Sequence, residues 1–131
     1  MGAWGAGSFE NDDAMDWVGS LAEGSGDTVL RDAFASVAVT DDHYLEAGDC
    51  AIAVAAAEAV AAARGRPTGS LPEEVTAWVQ KKPAVSPDLL GLAKAAVDRV
   101  VRKSELQELW DESDSADDWR TAMTDLRGRL G

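Results

Sequence analysis

The chain is short of several things at once, and each shortage closes off a class of function. It has a single cysteine, Cys50, and a single histidine, His43. An internal disulfide is therefore impossible, no CxxC pair exists, and no zinc-ligand spacing can be assembled. Basic residues are scarce: 12 Lys and Arg stand against 24 Asp and Glu, for a formal net charge of -12. Binding to a phosphate backbone depends on cations, so nucleic acid is excluded as a partner. The same charge disfavours anionic membrane surfaces. Long apolar runs are also missing, because the stretch from Ala51 to Ala63 is broken by Glu58 and falls short of the roughly 20 residues that span a bilayer. No basic n-region followed by an apolar stretch marks a secretory signal, which leads us to expect a cytoplasmic location. Gly2 is not a myristoylation site, since Ala6 stands where that motif wants Ser or Thr.

Motifs of known chemistry are absent too. The glycines at the N-terminus are not followed by the Lys and Ser or Thr of a phosphate loop, and no strand precedes them as a dinucleotide fingerprint requires. No twelve-residue calcium loop and no nucleophile elbow occurs. We expect no cofactor, no metal and no catalytic set.

What remains is helical periodicity. At 131 residues the chain is expected to form one domain, residues 1–131, with a core that needs no cross-link. Apolar residues recur at three and four residue spacing, and no segment alternates with period two. The fold class expected is all-α, a single compact bundle of about six or seven helices with an ordered Gly/Trp-rich N-terminal segment.

Asn11 or Asp12 can cap a first helix with Ala14, Trp17, Val18 and Leu21 on its buried face, ended by Gly24 and Gly26. Asp12, Asp13 and Asp16 lie in its first turns, where the helix dipole favours carboxylates. Asp27 can cap a second helix carrying Leu30, Ala33, Phe34 and Val37. The polar stretch Thr40 to His43 follows. From about Leu45 to Arg64 the chain is mostly alanine and apolar nearly all round, as expected of a helix at the centre of a bundle. Gly65 and Pro67 stop it.

Ser70 and Glu73 have capping-box spacing ahead of Val75, Trp78 and Val79. Ser86 and Pro87 then open an amphipathic helix with Leu89, Ala93, Ala96 and Val100 opposite Lys94, Asp98 and Arg102. Ser104 and Gln107 repeat the capping-box spacing before Leu106, Leu109 and Trp110. Asp114 or Ser115 caps a last helix that presents Trp119, Met123, Leu126 and Leu130.

Two features stand out from this framework. The segment Gly2 to Asp13 combines glycines with Trp4 and Phe9, which can anchor it against the bundle. Glu58 is the lone ionisable group on the alanine-rich helix between Cys50 and Arg64, and a buried carboxylate requires partners. Trp4's indole, backbone amides of the glycine segment or an arginine can supply them. A perturbed Glu58 could instead act as a general base, although no co-acting group is identifiable. Cys50 reads as a small core residue, and His43 as a solvated one.

The opening MGAWGAGSFENDDAMDW resembles the signature of a bacterial family catalogued as a domain of unknown function, number 4259. The resemblance extends to Tyr44-Leu45-Glu46, to the alanine-rich segment around Glu58, to Ser104-Glu105-Leu106 with Leu109-Trp110, and to the pattern from Trp119 to Leu130. It implies one intact family domain and carries no activity, cofactor or catalytic residue with it. The candidate cluster is Trp4, Phe9, Asn11, Asp12, Asp13 and Trp17, with Glu58 as their expected partner.

Two functions fit these observations. One is a non-enzymatic interaction protein, immunity- or antitoxin-like, whose acidic surface meets a basic protein partner. The alternative is a small-molecule binder or enzyme that uses Glu58 with Asp12 or Asp13 in a pocket beside the N-terminal segment. The sequence does not distinguish a monomer from a homodimer.

Overall fold

The computed structural model describes residues 7–23, 26–37, 45–69, 71–81 and 84–131. Trp4, the polar stretch at Thr40 to His43 and the caps assigned to Gly24 and Ser70 lie outside the described residues. Within them the chain forms seven helices and no strand: α1 (Asp12–Glu23), α2 (Gly26–Ala35), α3 (Ala47–Ala63), α4 (Glu73–Gln80), α5 (Pro87–Arg102), α6 (Glu105–Asp111) and α7 (Ala116–Leu130).

The all-α bundle is built around α3, which touches all six other helices. Its composition explains the position. Ala53, Ala55, Ala56, Ala57, Ala59 and Ala61 are all essentially inaccessible, and small side chains let neighbouring helices approach from every side. The helix ends at Gly65, whose φ of 86° suits glycine. There Arg66 N–H donates to Ala61 O at 2.9 Å and Gly65 N–H to Ala62 O at 3.0 Å, the pair of bonds that defines a Schellman cap.

The stripes expected from periodicity are the buried faces. Leu21 and Val18 of α1, Leu30 and Phe34 of α2, Leu89 and Val100 of α5, and Met123, Leu126 and Leu130 of α7 are all buried. Each stripe is narrow because only one side of these helices meets α3 or its neighbours.

Four local expectations are corrected. Helix α4 has Pro72 as its N-cap with no side-chain cap bond and begins at Glu73, later than a start at Ser70 would place it. Proline fixes φ just ahead of the helix and substitutes backbone geometry for a side-chain cap. Helix α2 begins at Gly26, which places Asp27 in the first turn, bonded to Arg31 at 2.8 Å, and not at the cap. In α6 only Leu106 is buried, and Leu109 is exposed. A helix of two turns that packs on one side cannot bury three apolar residues. Ser115 is the N-cap of α7, but its side chain makes no cap bond. The caps at Asn11, Ser86 and Ser104 form as expected, each accepting a backbone N–H three residues on.

Candidate functional site

Glu58 is 3% exposed on α3, and its carboxylate is completely engaged. Arg129, in the last turn of α7, donates from Nη1 to Oε1 at 2.7 Å and from Nη2 to Oε2 at 3.1 Å. Ser8 adds its hydroxyl to Oε2 at 2.7 Å. A two-pronged guanidinium contact with a third charge-assisted bond is the strongest arrangement available to a buried carboxylate. The arginine is itself held in place by Asp125 at 2.8 Å and by the Arg66 carbonyl at 3.2 Å. Its guanidinium is kept charged more firmly than usual, first by the bonds to Glu58 and against the opposing effect of burial.

One carboxylate therefore joins three segments of chain: the N-terminal turn, the centre of α3 and the end of α7. A second tie closes the same corner, where Arg64 donates to the Leu130 carbonyl at 2.8 Å. That bond places a cation on the negative end of α7, where the helix dipole favours it.

The N-terminal turn is built to reach Glu58. Glu10 N–H donates to Gly7 O at 3.0 Å, and Glu10 Oε1 accepts the Gly7 N–H at 3.0 Å. A Cβ on Gly7 would lie 2.3 Å from that carboxylate oxygen, so a larger residue there would displace the Glu10 side chain from this bond. Phe9 is buried and anchors the turn. Asn11 Oδ1 accepts the Ala14 N–H at 2.8 Å and starts α1.

The other candidates separate from Glu58. Asp12 and Asp13 are exposed in the first turn of α1, and neither is a partner of Glu58. Asp13 instead lies over the start of α3, its Oδ2 3.5 Å from where a Cβ on Gly48 would sit. Among the described residues no group of His, Cys, Asp and Glu could hold a metal ion. Trp17 is buried at 7% exposure, and its indole N–H has no hydrogen-bond partner.

Two segments singled out in the sequence, Leu45-Glu46 and Ser104-Glu105-Leu106, meet at the start of α3. Glu105 N–H donates to Leu45 O at 2.9 Å, and Glu105 Oε1 accepts the Ala47 N–H at 2.7 Å. Glu105 thus caps α3 from another helix, where its own N-cap residue Glu46 makes no side-chain cap bond. Cys50 is buried beside Ser104 and Leu106, and burial pushes its thiol up to about 11. It is a core group and not a nucleophile.

Residues 2–122 match the model of a family described as Domain of unknown function (DUF4259). The chain belongs to this family. No curated protein and no solved structure matches it. The DUF4259 span contains Ser8, Glu58, Leu45 and Glu105, whereas Arg129 lies beyond it. Sequence reasoning named an arginine as one possible partner for Glu58, but nothing local pointed to Arg129 or to Ser8. Arg99, buried on α5 with its guanidinium donating to the Lys103 carbonyl, was also missed. Its aliphatic stem lies on the apolar stripe while its head finds the end of its own helix.

Proposed function

We propose that this DUF4259 domain is a non-enzymatic, cytoplasmic interaction protein of the immunity or antitoxin kind, whose acidic surface meets a basic protein partner. The observation that carries this is the distribution of carboxylates. The one that is buried, Glu58, is consumed by Arg129 and Ser8, which leaves it no role as a base. Among the described residues the other carboxylates are exposed, apart from the half-buried Glu105.

They are densest where α6 turns into α7. Between Glu105 and Asp118 the chain carries Glu105, Glu108, Asp111, Glu112, Asp114, Asp117 and Asp118 and no basic residue. Asp111 is held below the usual carboxylate range by Arg120 and then Gln107, but Glu112, Asp114, Asp117 and Asp118 are exposed. Leu109, in the midst of them, is the exposed large hydrophobic residue among the described residues, at 37%. A single apolar contact inside an anionic rim suits a basic surface, whose approach such a field accelerates. Among the described residues no helix is long and apolar enough to cross a membrane.

The test is purification of the chain with its bound proteins from its native cells at low salt. A basic partner is expected, released by salt and lost from the Asp114→Lys/Asp117→Lys variant but retained by Glu73→Lys/Glu74→Lys. Recovery of the chain alone, or a partner indifferent to the Asp114→Lys/Asp117→Lys reversal, overturns the proposal.

A further inference from the structure

We propose that the cavity between the N-terminal turn and the linker from α3 to α4 binds the primary ammonium group of a small organic amine. The site stands apart from the α6–α7 face and does not depend on the basic partner.

The cavity measures about 430 Å³ and is walled by Gly7, Ser8, Phe9 and Glu10 on one side and by Thr68 and Gly69 on the other. That volume lies within the range of small-ligand sites. Its polar groups are oxygens. Glu10 folds back over its own turn, where Oε1 accepts the Gly7 N–H at 3.0 Å, and a carboxylate so bonded keeps acceptor capacity on Oε2. Ser8 is 9% exposed, and its hydroxyl proton is given to Glu58 Oε2 at 2.7 Å. A hydroxyl has a single proton, so toward any further group Ser8 Oγ only accepts. Donation to a carboxylate polarises that oxygen and makes it the better acceptor. Thr68, half-buried, brings its hydroxyl from the facing wall.

These oxygens, with one negative charge among them, match a cation that carries several N–H donors. A primary ammonium has three. No Lys or Arg lines the cavity, so an anion finds no counter-charge there, and the net charge of -12 opposes it further. A hard metal ion is matched less well, since Glu10 is the only carboxylate on the wall and such ions take about six or more oxygens. Phe9 supplies apolar wall for the carbon skeleton of the amine.

The test is an NMR titration followed at the backbone amides, with benzylammonium, benzyltrimethylammonium and benzyl alcohol as probes. Benzylammonium is expected to give saturable shifts confined to residues 7–10 and 68–69. The trimethyl compound keeps the ring and the charge without an N–H, and the alcohol keeps the ring without the charge. Each is expected to bind about tenfold more weakly. Glu10→Gln retains an acceptor for the Gly7 N–H, and Thr68→Val retains the side-chain shape. Both are expected to leave the amide spectrum of the helices unchanged and to weaken benzylammonium, by about tenfold for the lost charge and several-fold for the lost hydroxyl. No saturable shift at millimolar benzylammonium, equal binding of the trimethyl compound, or binding indifferent to Glu10→Gln overturns the proposal.

Discussion

Glu58 and Trp17 are both buried polar side chains, on helices that pack against each other, and the fold treats them in opposite ways. Around Glu58 three segments converge, and every oxygen has a donor. Trp17 is also buried, but its indole N–H is left without an acceptor. Burying a polar group is unfavourable in either case. The first case is compensated within the chain and so needs no ligand. The second is not compensated, so the fold carries the cost of that donor.

The comparison breaks most visibly at Arg129. Arg129→Ala leaves Glu58 buried and unpaired, which is expected to cost about 3–5 kcal/mol in urea unfolding. Replacing both members of the pair by leucine is expected to recover most of that loss, because two apolar groups can fill the site without uncompensated charge. A loss below about 1 kcal/mol for Arg129→Ala is the behaviour of a surface pair. It would show that Glu58 is reached by water, and the contrast with Trp17 would vanish.

Cys50 supplies a third case, a buried polar group kept neutral. Its folded-state pKa of about 11 lies above the ordinary value of 9.0. Below pH 9.0 the thiol is protonated in both folded and unfolded chains, and its contribution is complete. As pH rises toward 11 only the unfolded chain ionises, so stability falls. The loss approaches about 2 kcal/mol. Urea unfolding at mildly and strongly alkaline pH measures this, and Cys50→Ala is expected to flatten that part of the profile. A slope unchanged in Cys50→Ala would assign the alkaline loss to other groups.

Ser8 gives a smaller effect at the same corner. Ser8→Ala removes one of three bonds to Glu58 while leaving the arginine in place, at an expected cost of about 1–2 kcal/mol. The diagnostic readout is local. Amide exchange is expected to quicken over residues 7–10 and to stay unchanged in α7, because Arg129 still holds that helix. Equal loosening of α7 would mean that Ser8 and Arg129 act as one unit.

Much of the fold was legible because helix stripes are local patterns. Leu89, Ala93, Ala96 and Val100 on α5 recur at helical spacing and are buried, and Ser86 and Ser104 cap their helices as their positions suggest. The alanine-rich helix could be placed at the centre from composition alone. Glu58 could be flagged for the same reason, as a charge on a helix with no exposed face. Its partner could not. Arg129 is far away in sequence, and it sits beside the stripe of α7 formed by Met123, Leu126 and Leu130, where a solvated arginine would look the same. Asp12 and Asp13 were grouped with Glu58 because they share the signature with Phe9 and Trp17, but neighbours in sequence on α1 point in different directions. The start of α4 was misjudged for a related reason: the Ser70 and Glu73 spacing fits a cap, while the helix begins only after Pro72.

The finest distinction is made at Trp17 itself, where two opposing terms nearly cancel. Trp17→Phe removes part of a buried aromatic side chain, which weakens packing. It also removes an N–H that the folded protein leaves unsatisfied, which relieves a penalty of about 1–3 kcal/mol. The net change in urea unfolding is therefore expected to stay within about 1 kcal/mol, unusually small for a tryptophan in the core. Trp17→Ala, which empties the site, is expected to cost about 3–5 kcal/mol and shows that the position is packed. A loss above about 2 kcal/mol for Trp17→Phe would mean that the N–H has an acceptor in the folded chain. In that event Trp17 would resemble Glu58, a buried polar group compensated within the chain.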